Sequence, residues 1–151
     1  MLKKRIKYED FNGLVREEDY YFNFTKSELT EMEYGTAGGV ADKLVRIVAA
    51  VDTPKILQMF KDLVISAYGV KSDDGRSFIK NDSIRDAFKC SAAYDELMTS
   101  LVSDPDEIIA FINGVLPKDM RFDTKEVKAI LDAQDDESPL AIVDRIKDEN
   151  K

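Results

Sequence analysis

Two short runs near the start of the chain alternate between apolar and charged residues. In the first run, residues 2–9, the apolar positions on one side are Leu2, Ile6 and Tyr8. In the second run, residues 15–24, an aromatic side lies opposite an acidic one, and its aromatic members are Tyr20, Phe22 and Phe24. A period of two residues is typical of strands that bury one face. Because Asn12-Gly13 lies between the runs, the pattern predicts an antiparallel β-hairpin.

The length of the hairpin loop decides which face becomes apolar, since a slip of one residue exchanges the two faces. A two-residue turn at Asn12-Gly13 would place the aromatic residues opposite the basic ones. A three-residue loop, residues 11–13, pairs Asp10 with Leu14 and collects the apolar side chains on one face. We therefore predict the three-residue loop, with Gly13 in the left-handed region. The cross-strand pairs that follow from this register are Lys7 with Glu17 and Arg5 with Asp19.

Helical spacing of apolar residues replaces the alternation after the hairpin. Thr25 and Glu28 form a capping-box pattern that predicts a helix over about residues 26–34. Later amphipathic patterns are centred on residues 40–51, 54–69, 82–102, 105–116, 123–133 and 139–148. Residues 71–77 read as a polar turn, and Phe78-Ile79 as a short apolar island. The sum is one hairpin followed by about six helices, with a single long helix over residues 82–102.

These elements predict a mainly α fold with a small N-terminal antiparallel β-hairpin, an α+β chain that forms a single compact helical domain. A chain of 151 residues is long enough to bury a core without disulfides or metals. We place that hairpin-plus-helical domain at residues 1–133. Residues 134–151, which begin with the acidic run at 135–137, are expected to form an acidic linker and a short C-terminal helix or flexible tail.

Charge and composition then exclude several classes of function. A formal net charge of -8 argues against a nucleic-acid partner and against an anionic membrane surface. The chain has no His, which excludes Ser-His and Cys-His catalysis. Its one Cys cannot form an internal disulfide, which fits a reducing cytoplasm. No apolar run approaches the roughly 20 residues that span a bilayer.

The local motifs carry no specific chemistry either. The glycine-rich stretch at residues 35–39 lacks the spacing of a phosphate loop and reads as a hinge between helices. Asp73-Asp74-Gly75 lacks the alternating ligands of a calcium loop and reads as a turn. Cys90 has no His partner, so packing or partial exposure explains it better than nucleophilic catalysis. We therefore predict no catalytic, metal-binding or cofactor-binding residue.

Aromatic residues are the remaining candidates for contact with other proteins, because exposed rings are typical of partner surfaces. Tyr21 lies on the charged side of the second run, where packing of the hairpin on a core does not account for it. We name Tyr21, Phe111 and Phe122 as candidate partner-binding residues.

Five stretches in the first 120 residues together resemble a known family. They are YEDFNG (8–13), DYYFNFTKSEL (19–29), GGVADKLVRIVAA (38–50), FKDLVISAYGVKSDDGRSFIK (60–80) and FINGVLPKDM (111–120). In this order and spacing they resemble the tail assembly chaperones of long-tailed bacteriophages, of the kind found in phages and prophages of Gram-positive bacteria.

The resemblance implies a non-catalytic assembly factor. Such chaperones bind the tape measure protein and keep it soluble while the tail tube assembles. They act in the cytoplasm of the infected or lysogenic bacterium and are usually absent from the mature virion. In many such phages a frameshift makes a longer product that recruits the major tail tube protein. Whether copies of the chain also associate with one another is left open by the sequence.

Three alternatives remain at this stage. The first is a structural tail component of the virion, such as a completion or connector protein. The second is an enzyme that uses carboxylates alone, and the third is a helical adaptor in a bacterial pathway.

Overall fold

The computed structural model describes residues 1–35, 43, 44, 46, 47, 49 and 54–121. Its strands are β1 (Leu2–Glu9), β2 (Val15–Phe22), β3 (Tyr68–Lys71) and β4 (Phe78–Ile79). Its helices are α1 (Lys26–Gly35), α2 (Pro54–Ala67), α3 (Asp82–Lys89), α4 (Ala92–Val102) and α5 (Pro105–Val115). A short 3-10 helix follows at Lys118–Met120. The described residues between 43 and 49 are helical. The helices predicted over 123–133 and 139–148 lie outside the described residues, as does the predicted tail.

The N-terminal hairpin has the predicted three-residue loop and the predicted register. Glu9 pairs with Val15 at the end of the ladder. Next to the loop, the backbone N–H of Asp10 donates to the carbonyl of Leu14 at 2.8 Å, and the N–H of Gly13 donates to the carbonyl of Asp10 at 2.9 Å. Gly13 has φ +82°, in the left-handed region that a side chain would strain. The α+β fold class and the hairpin are therefore confirmed.

The hairpin belongs to a larger sheet than the sequence predicts. All four strands form one antiparallel sheet in the order β1-β2-β3-β4. We expected the helix that starts at Pro54 to continue to Gly69, but it ends at Ala67, whose carbonyl accepts from the N–H of Asn23 at 2.9 Å. The predicted polar turn joins β3 to β4, and the apolar island is β4. Strands of four and two residues are too short to show a period.

The single long helix predicted over residues 82–102 is wrong. The structure has two helices there, because Ser91 starts a new one: its Oγ accepts from the N–H of Tyr94 at 3.2 Å. The same hydroxyl donates to the carbonyl of Phe88 at 2.6 Å and so satisfies the end of α3 as well. The apolar spacing runs through this break unchanged, which is why periodicity does not reveal it.

Other helix ends follow local rules that the sequence shows. The backbone N–H of Glu28 donates to Oγ1 of Thr25 at 3.2 Å, which confirms Thr25 as the cap of α1. Asn81 caps α3 through a 2.8 Å bond from the N–H of Ile84. Asp104 caps α5, and Pro105 occupies its first position.

The core lies between one face of the sheet and the helices. Phe22 is fully buried at its centre, with ring centroids 5.2 Å from Phe111, 5.8 Å from Phe88 and 5.8 Å from Tyr68. Burial of a phenylalanine side chain stabilises a fold by roughly 1.5–3 kcal/mol. The helix α5 also lies close to β1, since a Cβ at Gly114 would be 2.8 Å from Cδ1 of Leu2. Packing on helices gives the hairpin the support that an isolated pair of strands lacks.

Candidate protein-binding surface

The sheet has one covered face and one exposed face. On the covered face Ile6 and Phe22 are 5% and 0% exposed. Residues opposite each other in the register share a face, so the other side can be read from the pairing. It carries Lys3, Arg5, Lys7, Glu17, Asp19, Tyr21, Gly69, Lys71 and Phe78. We call this set the open face.

Charged side chains on the open face bind one another across the hairpin. The register places Lys7 opposite Glu17 and Arg5 opposite Asp19, as predicted. Arg5, however, contacts both carboxylates: its Nε donates to Glu17 at 2.9 Å and its Nη1 to Asp19 at 3.4 Å. The hydrogen bond from Arg5 to Glu17 is the main cause that raises the pKa of the Arg5 guanidinium. These groups are exposed and add little stability, but they fix the charge pattern of the surface.

Tyr21 is the half-buried aromatic residue at the centre of the open face. Its backbone pairs with Lys3 on one side and with Gly69 on the other. The Nζ atom of Lys71 lies 4.2 Å from the centre of the Tyr21 ring, which is a cation–π geometry. The structure therefore places Tyr21 on the charged side of the hairpin, outside the core, next to a cation.

Phe78 adds a second ring to this face, and the sequence prediction missed it. A Cβ at Gly69 would lie 2.6 Å from Cε1 of Phe78, so the ring covers the backbone where the strand has no side chain. Such a ring over a strand glycine protects the backbone hydrogen bonds of an otherwise bare position. In the sequence, this contact is indicated by the glycine between Tyr68 and Val70 and by Phe78, which follows the polar turn.

Lys80 connects the end of β4 to α1 and to the residues after β2. Its ammonium donates to the carbonyl of Asn23 at 2.7 Å and to a carboxylate oxygen of Glu28. Burial lowers the pKa of Lys80, and the Glu28 partner opposes that shift. Since Nζ also lies 4.8 Å from the ring centre of Phe24, the side chain joins the end of β4 to α1 and to the residues that follow β2. The contacts fix the position of Phe78, two residues before it.

Apolar side chains are also exposed at the tip of the first hairpin. Phe11 is 85% exposed, Leu14 59% and Val15 67%. The loop that carries them is held by the Asp10 carboxylate, which accepts from the N–H groups of Asn12 and Leu14 at 2.9 and 3.0 Å. These hydrogen bonds, and above all the one from Arg16, lower the pKa of Asp10. We call Phe11, Leu14 and Val15 the apolar tip.

The other two candidate aromatic residues have different positions. Phe111 is 0% exposed and packs edge-on against Phe22 and Phe60. In this conformation it offers no surface to a partner, and a contact there would require the core to open. Phe122 lies outside the described residues. Of the two candidates among the described residues, Tyr21 is the one at an accessible surface.

A charged cleft lies between α2 and α3, away from the open face. It is lined by Lys61, Arg85 and Lys89, by Asp62, Asp82 and Asp86, and by Tyr94 among others. Burial raises the pKa of the Tyr94 hydroxyl above its ordinary value. The exposed thiol of Cys90 has no His to activate it, since the chain has none. Within residues 1–35 and 54–121, no cluster of three or more potential metal ligands occurs.

Among the helices that the structure describes, none has the length and apolar character needed to cross a membrane.

Comparisons with known proteins bear on the whole chain. No curated protein and no solved structure matches it. The model of a protein family described as phage tail assembly chaperone matches residues 1–149, which extends the resemblance seen over residues 1–120 to nearly the full length. Because this match covers almost every residue, the chain belongs to the phage tail assembly chaperone family.

Proposed function

We propose that this chaperone binds the tape measure protein of its phage and keeps it soluble while the tail tube assembles. It acts without catalysis, in the cytoplasm of the infected or lysogenic bacterium, and leaves before the virion matures. The observation that carries the proposal is the apolar tip, where three large hydrophobic side chains are exposed in and beside the loop of the first hairpin. Exposed apolar clusters of this kind mark sites of contact with other proteins.

The tip is suited to transient capture of apolar client segments. Its loop is already ordered by the Asp10 carboxylate, so binding costs little conformational entropy. Burial of a large apolar side chain contributes roughly 1.5–3 kcal/mol each. Three such side chains give a weak site for one copy once the entropic cost of association is subtracted. Several copies along one tape measure chain would protect it and still be displaced by tube subunits.

The open face provides a second contact area for the same client. Tyr21 and Phe78 give it aromatic surface, while Arg5 and Lys71 give it a polar border. An aromatic centre with a charged rim is the usual composition of a protein interface. A partner that covers Tyr21 would also compete for the Lys71 ammonium.

The major tail tube protein is the second proposed partner, through a longer frameshifted form of the chain. The support is the family membership.

Co-expression tests the proposed function. The tape measure protein is expressed alone, with the chaperone, and with the Phe11→Ser/Leu14→Ser variant, and its soluble fraction is measured after centrifugation. We expect the wild-type chaperone to raise the soluble fraction and to co-purify with it, and the variant to lose most of both effects. Tyr34→Ser is the matched control, because Tyr34 is 89% exposed but lies on α1. Unchanged solubility with the wild-type chaperone would refute the proposal.

Mass spectrometry of purified phage particles separates a chaperone from a structural tail component. We expect no peptides of this chain in mature particles and abundant peptides in the lysate. A stoichiometric amount in the particles would instead show a completion or connector protein.

A further inference from the structure

We propose that the open face binds an acidic segment of the same chain, residues 135–143. This segment consists of the acidic run Asp135-Asp136-Glu137 and the apolar stretch that follows it at 139–143. The surface is the open face, and its occupant is a part of the chain that lies beyond the described residues. The binding goes beyond the proposed function and does not depend on it, because no client takes part.

The open face has the opposite charge to the chain as a whole. Its charged side chains are four basic and two acidic ones, which are Lys3, Arg5, Lys7, Lys71, Glu17 and Asp19. Glu9 lies farther along β1, beside the apolar tip. The whole chain, in contrast, has a formal net charge of -8. The open face therefore carries a local surplus of positive charge, which attracts an acidic peptide.

Within the part of the chain that the structure describes, Lys7 and Lys71 are the two cations of this face without a carboxylate partner. Arg5, in contrast, contacts two carboxylates. The Nζ atom of Lys71 lies over the ring of Tyr21, 4.2 Å from its centre. A carboxylate that approaches Lys71 or Lys7 thus gains an ion pair without breaking an existing one.

The rings on the open face match the apolar part of the segment. Tyr21 and Phe78 are half-buried, so part of each ring remains accessible. In the sequence, the apolar stretch PLAIV begins two residues after Glu137. A peptide with carboxylates followed by apolar side chains therefore meets cations beside aromatic rings, which is the usual composition of a protein interface.

The described chain ends near the part of the sheet that carries Tyr21. Nζ of Lys26 lies 3.1 Å from a carboxylate oxygen of Asp119, and Lys26 is five residues after Tyr21. Thirteen residues then separate Arg121 from Asp135. They span about 20 Å as a helix and about twice that when extended. A connection this short gives the segment an effective concentration on the order of millimolar, so weak contacts suffice.

Under the proposed function, the segment and the client compete for the open face. This consequence rests on the proposed function, whereas the binding of the segment does not. Because exposed ion pairs are weak, a client that buries more apolar surface displaces the segment. The segment therefore covers Tyr21 and Phe78 until a client binds.

Carbodiimide cross-linking of the full-length chain tests the proposal, because this reagent joins a lysine to a carboxylate only when the two groups are in contact. Mass spectrometry identifies the joined peptides. We expect cross-links from Lys7 or Lys71 to residues 135–137, with a yield that falls as the salt concentration rises.

The same experiment contains its own controls. Lys26 and Asp119 form an ion pair in the structure and should be joined in every sample. Lys55 is exposed on α2, away from the open face, and should give no cross-link to the acidic run.

Neutral variants test the contribution of charge. Asp135→Asn/Asp136→Asn/Glu137→Gln should raise the rate at which Lys71 is acetylated by about twofold to fivefold, the effect of losing a few weak ion pairs. Asp144→Asn/Asp148→Asn/Glu149→Gln makes the same three replacements later in the chain and should leave the rate unchanged. Thermal melting checks that both variants fold as the wild type does.

Isotope labelling distinguishes a cross-link within one chain from a cross-link between two copies. Unlabelled chains and chains labelled with heavy nitrogen are mixed in equal amounts and equilibrated before the reagent is added. We expect each cross-linked pair of peptides to carry one isotope only, because the segment and the open face belong to the same chain.

Four results would overturn the proposal. They are the absence of cross-links between the acidic run and the open face while Lys26 and Asp119 are joined, an equal yield from Lys55, an unchanged rate of acetylation at Lys71, and cross-links that join labelled to unlabelled chains. The last would assign the segment to a neighbouring copy. None of these measurements uses the client, so each outcome leaves the proposed function untouched.

Discussion

The ring of Phe78 lies so close to the backbone of Gly69 that no side chain fits between them. A Cβ at position 69 would be 2.6 Å from Cε1 of Phe78 and 3.0 Å from the carbonyl oxygen of Ile79. The ring covers β3 on the open face, and Lys80, two residues after Phe78, donates to the carbonyl of Asn23 at 2.7 Å. Gly69 therefore determines how β4 lies on the sheet.

We expect Gly69→Ala to lower the free energy of unfolding by roughly 1–3 kcal/mol, the usual cost of overpacking. The added methyl group must displace the Phe78 ring and shift the β4 backbone. Urea denaturation measures the change. Gly35→Ala is the matched control, because a Cβ there meets nothing within 4 Å, and we expect it to be neutral or stabilising by up to about 1 kcal/mol. Equal stability of both variants would show that the ring moves without cost.

The contrast between the two hairpins shows what the sequence can and cannot predict. The first hairpin has eight residues per strand, so a single register puts Ile6 and Phe22 on the same face, and the apolar pattern selects it. The second has strands of four and two residues, whose pairing depends on contacts with Phe22 and Tyr21 far away in the sequence. Phe78 was missed as part of the surface for that reason.

Ser91 is a second feature of the fold that the spacing of apolar residues does not predict. A hydroxyl that caps one helix and closes another leaves the apolar spacing unchanged. We expect Ser91→Ala to lower the free energy of unfolding by about 1 kcal/mol, the usual value of an N-cap. Ser91→Asp should retain most of that stability. Ser100→Ala, at an exposed position on α4, serves as the control and should change little. Because alanine favours helices more than serine does, an equal loss at Ser100 would show that the loss at Ser91 is not specific to the cap.

A variant of Tyr21 distinguishes an effect on binding from an effect on stability. We expect Tyr21→Thr to weaken the complex with the tape measure protein and to change the free energy of unfolding by less than about 1 kcal/mol, since threonine also favours strands and the half-buried Tyr21 ring lies outside the core, over Lys71. Pull-down and urea denaturation measure the two effects.

Phe111→Ala is the contrasting variant for Tyr21. The ring of Phe111 is fully buried, and its loss should cost about 3–5 kcal/mol. A destabilisation of that size at Tyr21 would make it a core residue, and unaffected binding would remove it from the interface.

Alkaline pH should destabilise the protein through three partly buried tyrosines. Burial raises the pKa of Tyr20, of Tyr68 and of Tyr94 above the ordinary value of 10.0. Above about pH 10 the unfolded chain therefore binds fewer protons than the folded one, so stability is full below that pH and falls as pH rises through the folded pKa values. Lys80 changes stability in the opposite direction as pH rises. Burial lowers its pKa, so its deprotonation removes the cost of burying a charge in the folded state.

Urea denaturation between about pH 8 and pH 11 measures this dependence, and Tyr20→Phe assigns it. The Tyr20 ring packs 5.4 Å from Phe88, and phenylalanine preserves that packing while it removes the ionisable hydroxyl. We expect the variant to lose less stability than the wild type as pH rises. Tyr34→Phe is the matched control, since its ring is exposed and its change should leave the slope unaltered. An identical pH slope for wild type and Tyr20→Phe would assign the alkaline loss to the other titrating groups.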